Sequence, residues 1–130
     1  MVIQAQQLIE VIMSAYTLLL DNNWDLTLTG DGKIQTATEA YAIAQNASNA
    51  VRLFKNDAYF DKQKGIPHFD IELGHSIAAI PILESQMKKA MLAVEGVADA
   101  VAVLEIEKNR ILGGNAYITL TGGENAKITF

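Results

Sequence analysis

Apolar residues Ala5, Leu8, Ile9, Ile12 and Tyr16 recur at three- and four-residue spacing, which predicts one stripe of an amphipathic helix across residues 2–16, with glutamines prominent on its other face. Thr17 to Leu20 is β-prone and runs into Asp21-Asn22-Asn23, whose short side chains bond their own backbone in turns, so the helix is expected to stop before Thr17. Trp24-Asp25-Leu26-Thr27-Leu28-Thr29 then alternates large apolar with polar residues. That two-residue period predicts a strand that points Trp24, Leu26 and Leu28 inward, with Trp24 as a core anchor because of the area an aromatic ring buries. Gly30-Asp31-Gly32 supplies the positive φ of a tight turn, and Lys33 to Thr36 return as the second strand of a hairpin.

Thr36 and Glu39 stand at capping-box spacing, where their side chains satisfy amides at the start of a helix. In the helix that follows, Ala40, Ala44, Ala47, Val51 and Phe54 form one narrow apolar line whose small side chains let another backbone approach closely. Asn56 to Gly65 is mostly polar and reads as a long connection, and Ile66-Pro67 turns the backbone away from helix just beyond it. His68 to Leu73 makes a brief helical turn ended by Gly74. Pro81 suits the first turn of a helix that runs to about Val94, with Ile80, Leu83, Met87, Met91 and Val94 on one stripe. The two methionines read as adaptable core packing.

Glu95-Gly96-Val97 ends that helix through a glycine. Beyond it, Val101, Val103 and Glu105 alternate with Ala102, Leu104 and Ile106 on the two faces of a strand. Lys108-Asn109-Arg110 makes a turn, and Ile111-Leu112 leads through Gly113-Gly114, read as a second hairpin glycine pair, into Tyr117 to Thr121. After Gly122-Gly123 a last strand, Lys127 to Phe130, pairs back. The chain is thus α+β, a single small domain with central helices, an N-terminal hairpin and a C-terminal antiparallel sheet, preceded over residues 1–15 by an N-terminal helical extension. Either the domain's own core or a partner helix covers the apolar stripe of that extension.

A chain of 130 residues, half of them hydrophobic, has enough apolar surface for one core and no linker polar enough to divide it. Acids outnumber bases 15 to 10 for a net charge of -5, and no dense Lys/Arg run offers a nucleic-acid footprint. The absence of cysteine excludes disulfides, thiolate metal sites and a cysteine nucleophile. Gln4, Gln6, Gln7, Glu10 and Ser14 interrupt the only membrane-like stretch, and a soluble protein is the simpler expectation.

The local cluster His68, Asp70, Glu72 and His75 could ligate a metal or share acid-base work. Metalloprotease histidines, however, stand one helical turn apart around a glutamate, whereas these two straddle a glycine, and a solvated turn between two elements explains the cluster better. Gly30-Asp31-Gly32 and Gly113-Gly114 lack the strand–loop–helix context of phosphate-binding glycines. No cofactor, metal or small-molecule substrate is therefore expected.

Across residues 23–103 the chain resembles the GPW-like family of phage baseplate wedge proteins. The resemblance lies in an order of features: Trp24-Asp25-Leu26, Gly32-Lys33-Ile34 and the helix through Ala44 to Val51-Arg52-Leu53-Phe54 resemble the family's opening. Tyr59-Phe60-Asp61, Lys64-Gly65-Ile66-Pro67-His68-Phe69 and Leu73-Gly74 resemble its middle, and the helix Leu83 to Val94 followed by Glu95-Gly96-Val97 and the strand Val101 to Ile106 is its last recognisable piece. Several relatives carry Glu-Pro-Arg where this chain has Glu95-Gly96-Val97, so only Glu95 carries over. Residues 16–130 would then be the GPW-like wedge domain, and residues 1–14 are extra to the compact family pattern.

The resemblance implies a non-enzymatic, structural protein of the virion, in the baseplate of a contractile tail. Its implied partners are other baseplate wedge subunits, the tail sheath protein, and tail tube or hub proteins. An edge strand offers unpaired amides and carbonyls on which another chain can extend the sheet, and Ala116 to Thr121 and Lys127 to Phe130 are the edges expected to do so. The interface candidates are Leu8 and Ile12 on the amino-terminal stripe, Glu95, and Tyr117, Thr119, Thr121, Ile128 and Phe130 in the terminal sheet. The rival readings are a tail completion or terminator ring protein and a tail-associated peptidoglycan hydrolase using Glu72 or Glu95.

Overall fold

The computed structural model describes residues 15–71, 79–108 and 112–130. The helix expected over residues 2–16 falls almost wholly outside them, and its last position, Tyr16, is not helical. Tyr16 opens strand β1 (Tyr16–Leu18), which pairs antiparallel with β2 (Thr36–Thr38), Thr17 opposite Ala37. The hairpin between them is made of two tight reversals. Isolated bridges join Leu20 to Leu26 and Leu28 to Ile34, and Thr29 N–H donates to Lys33 O at 2.7 Å around Gly32, whose φ is 82°. Trp24, Leu26 and Leu28 do not point into the core, as their alternation suggested: they are 39%, 46% and 65% exposed. Single bridges make a ribbon too short to be laid against another layer, so its apolar face stays wet.

Helix α1 (Glu39–Arg52) follows β2 directly. The capping box does not form: Thr36 is in β2, Thr38 occupies the cap position without a side-chain bond, and Glu39 N–H donates instead to Ala15 O at 2.9 Å. One face of α1 buries Ala42, Ala47 and Val51, with Gln45 and Ser48 beside them. Gln45 ties the helix to the outer side of β1. Its Oε1 accepts the Leu20 N–H at 3.0 Å and its Nε2 donates to Leu18 O at 2.7 Å, so the carboxamide takes the place of a neighbouring strand. Gln45→Leu strands both backbone groups and is expected to lower unfolding free energy by about 1–3 kcal/mol, measurable by urea denaturation; a change within error would show that water replaces the amide without loss.

The connection after α1 is pinched at its base. Phe54 bridges Ile66, Lys55 N–H donates to Ile66 O and Ile66 N–H to Leu53 O, both at 2.9 Å. Gly65, at φ 101°, lies so close that a Cβ there would meet Phe54 C and O at 2.6 Å. The loop's tip presents Tyr59 and Phe60, edge to face, at 82% and 97% exposure. A single helical turn, α2 (His68–Ile71), follows, and then α3 (Ile80–Leu92), with Pro81 in its first turn and Leu83, Met87 and Met91 buried.

Gly96, at φ 95°, turns α3 into β3 (Val97–Ile106), which pairs antiparallel with β4 (Leu112–Leu120), itself paired with β5 (Asn125–Thr129). The order is β3-β4-β5. Ala100, Ala102 and Leu104 of β3, Ala116, Ile118 and Leu120 of β4, and Ile128 of β5 form the buried face, closed by Val51 of α1 and the Leu83–Met87–Met91 stripe of α3. The other face carries Val101, Val103 and Tyr117 in the open. Gly113-Gly114 is not a turn. Both glycines lie inside β4, where a Cβ on Gly114 would collide with the Val103 carbonyl oxygen. The result is a single α+β domain, with, among the described residues, two helices and a helical turn between a two-stranded hairpin and a three-stranded sheet. Among the described residues no helix is long and apolar enough to cross a membrane.

Candidate protein interface

The residues that could carry chemistry are dispersed or engaged. His68 is buried, not solvated: its Nε2 lies 2.9 Å from Val51 O, and its ring packs on Phe54 with centroids 4.5 Å apart. A backbone carbonyl only accepts, so Nε2 carries the proton in that contact. Asp70 is exposed, while Glu72 and His75 lie outside the described residues. Among the described residues no group of three His, Asp or Glu side chains could hold a metal ion.

The sheet's edges are chemically more telling. In an antiparallel ladder successive residues turn their backbone groups alternately toward and away from a given neighbour. Phe130 N–H donates to Gly114 O at 3.0 Å and Leu120 N–H to Glu124 O at 2.8 Å, so the even-numbered residues of β5 face β4. Asn125, Lys127 and Thr129 therefore turn their N–H and C=O groups outward. By the same parity Ala100, Ala102 and Leu104 face outward from β3. This corrects the edge expected at Ala116 to Thr121: residues 116–120 belong to the central strand, whose backbone is paired on both sides. Among the described residues the edge strands are β3 and β5.

Those two edges are not equivalent. Glu84 of α3 reaches β3, where its Oε1 accepts the outward Leu104 N–H at 2.9 Å. Lys88, one turn further along the same helix face, pairs with Asp99 near the strand's other end at 3.4 Å. The Asp99 carboxyl is held below its ordinary value of 3.8, first by the Ala100 N–H and then by the Lys88 ammonium. Its contribution is complete above the unfolded value and is lost as pH falls through the lower folded one. The Lys88–Asp99 pair thus fences this edge with charge, a common protection against pairing with another chain. Glu84→Ala removes the acceptor from Leu104. The expected outcome is a loss of about 1 kcal/mol in stability and a concentration-dependent shift to larger species in light scattering, relative to the parent chain. An unchanged mass distribution would remove the fence role.

The β5 edge instead borders a groove of about 410 Å³ between β5, the loop at residues 20–24 and the exposed side of α1. The loop is built by Asp21, whose Oδ1 accepts N–H groups from Asn23 at 2.7 Å and Asp25 at 3.0 Å, while Trp24 N–H donates to Asp21 O at 3.0 Å. These bonds hold Trp24 at φ 63°, a left-handed conformation that is costly for a bulky side chain and persists only where the surroundings enforce it. The indole is thereby brought over the Arg52 guanidinium, 4.2 Å from the ring centroid, and Phe130 flanks the same cation at 5.8 Å.

The sequence-derived candidates distribute unevenly around these surfaces. Leu8 and Ile12 lie outside the described residues. Tyr117 and Thr119 are on the open face of the central strand, where Thr119 Oγ1 donates to Asn125 Oδ1 at 3.1 Å. Thr121 N–H donates to Gly96 O at 3.0 Å, which brings Thr121 beside the exposed turn that carries Glu95. Ile128 is in the core and Phe130 is half-buried against it, so neither offers a free side chain, although their strand is an open edge. Arg52, Ser48 and Gln45 were missed. An arginine in the last turn of an alanine-rich helix reads as a solvated charge until the fold brings Trp24 and Phe130 to it.

Compared with protein-family models, residues 16–121 match that of the contractile injection system sheath initiator. No curated protein matches the chain. The match supports the coarser part of the resemblance seen in the sequence, a baseplate-related protein of a contractile tail, under a different family heading from the GPW-like wedge proteins.

Proposed function

The chain belongs to the contractile injection system sheath initiator family, and from that premise we propose that it starts the sheath by strand addition: an extended segment of a first-ring sheath subunit lies along β5 as a fourth strand of the sheet. The observation that carries this reading is the asymmetry of the edges. Asn125, Lys127 and Thr129 turn their backbone groups outward, the last two beside a groove, whereas the β3 edge is occupied by Glu84 and flanked by Lys88. Main-chain bonds would supply affinity, and alternate side chains of the added strand would set register.

The rest of the surface is assigned to the baseplate. The amino-terminal extension with Leu8 and Ile12, the end of the domain where Glu95 and Thr121 meet, and the open sheet face with Tyr117 and Thr119 are the places for other wedge subunits and for tube or hub proteins. Ile128 and Phe130 act through the strand they anchor. Repetition around the tail would let modest individual contacts act together. In this reading the protein's role is structural and it acts as part of the tail baseplate.

The test is size-exclusion chromatography with light scattering on the chain alone and mixed with the sheath and baseplate proteins of its own tail. Co-elution with the sheath protein is the expected outcome. A ring made only of this chain would move the assignment to a completion protein, and unchanged wedge binding after deletion of residues 1–14 would remove the docking role of the extension.

A further inference from the structure

The groove beside β5 carries more chemistry than a bare strand edge needs. Ser48, 5% exposed and lining the groove, has a hydroxyl with no hydrogen-bond partner. Buried hydroxyls are nearly always bonded, so this orphan one, closed to solvent, is a polar defect in the wall behind the groove. Arg52, one turn along the same helix face, makes no ion pair among the described residues; its cation rests on Trp24 and beside Phe130. Stacking uses the faces of a guanidinium and leaves its in-plane N–H donors free, the geometry that takes a carboxylate through two parallel bonds. Lys127 lines the rim through its strand, while its side chain, opposite Tyr117 in the register, stands on the open face of the sheet away from α1. The one acid lining the groove, Asp21, has its Oδ1 engaged by the amides of its own turn. In a chain of net charge -5, Arg52 thus stands in the groove as a cation with no ion pair among the described residues.

We propose that the groove is a receptor for an acidic strand: the segment added to β5 carries an Asp or Glu on its helix-facing side, and that carboxylate pairs with Arg52. The inference rests on the strand-addition reading and names the partner's chemistry. On an added strand every second side chain faces α1, so the acid sits at a single parity, and neighbours of the same parity face the apolar sides of Trp24 and Tyr41.

Trp24 is the chain's only tryptophan and lies in the groove, so its emission reports occupancy directly. The probes are synthetic peptides spanning the N-terminal and the C-terminal segments of the sheath protein from the same tail, titrated into the full chain. A matched set has each Asp or Glu changed singly to Asn or Gln. One peptide is expected to shift the Trp24 emission, and one acid-to-amide change in it is expected to weaken binding roughly tenfold or more. In Arg52→Met that same change should cost nothing further, which identifies the pair even if Arg52→Met also perturbs the loop. If every amide peptide binds the parent chain as tightly as its acid while Lys127→Pro abolishes binding, the acidic-strand inference falls and strand addition stands. If Lys127→Pro leaves binding intact, or neither peptide binds, the strand-addition reading itself falls.

Discussion

Lys127→Pro is expected to leave the domain folded and to reduce its capture of the sheath protein by on the order of ten- to a hundredfold. The Lys127 N–H points away from β4, so proline removes no bond of the sheet and its ring occupies the side where an added strand would lie. Ala126 before it is already extended, as a residue preceding proline prefers. At least one main-chain bond to the partner is lost, worth about 1 kcal/mol, and the ring displaces the neighbouring register. Ile128→Pro tests the parity. Its N–H faces Ala116 in the ladder, so this change is expected to cost about 3 kcal/mol of stability. Urea unfolding and co-elution with the sheath protein separate the two effects. Equal stability losses at both positions would show that the edge assignment is wrong, and undiminished sheath binding by Lys127→Pro would show that β5 is not the acceptor.

Gly114→Ala is expected to be the most damaging conservative change in the sheet, at about 3–4 kcal/mol. The added methyl would coincide with the Val103 carbonyl oxygen and stand 2.9 Å from Leu104 Cα, atoms that move only if β3 leaves β4. The residue's φ of 156° adds a conformational cost for any L side chain. Gly113→Ala is the control. Its methyl meets only the flexible Glu107 Oε1 at 3.4 Å and Phe130 O at 3.6 Å, so stability is expected to change by less than about 1 kcal/mol, with the entropy of the unfolded chain favouring alanine. Thermal and urea unfolding of both variants decide the matter: similar midpoints would mean that β4 has room at Gly114.

The contrast between those glycines shows where sequence pattern suffices and where it does not. The stripe Leu83, Met87 and Met91 and the parity of Ala100, Ala102 and Leu104 were legible because each element lies on one continuous core. Trp24, Leu26 and Leu28 show the same alternation, but the ribbon they form is held by single bridges and leaves these side chains largely exposed. Thr36 and Glu39 have capping spacing, yet Ala37 is drawn into a strand opposite Thr17 and the Glu39 amide is claimed by Ala15, both contacts distant in sequence. Gly113-Gly114 reads as a turn because glycine pairs usually are turns; here the second is required by the approach of another strand. The groove shows the limit most clearly. Trp24, Arg52 and Phe130 converge from three segments, and no local spacing announces a cation held between two rings.

The unequal edges of the sheet also govern number. A protein open at both edges could pair with its own copies, and the count of starting points would then grow with its concentration. Under the proposed function, β3 is closed by Glu84 and only β5 receives a strand, so each copy primes one neighbour and copies cannot chain onto one another without end. Excess initiator would stay inert, and how many sheaths begin would be set by how many baseplates exist to hold it.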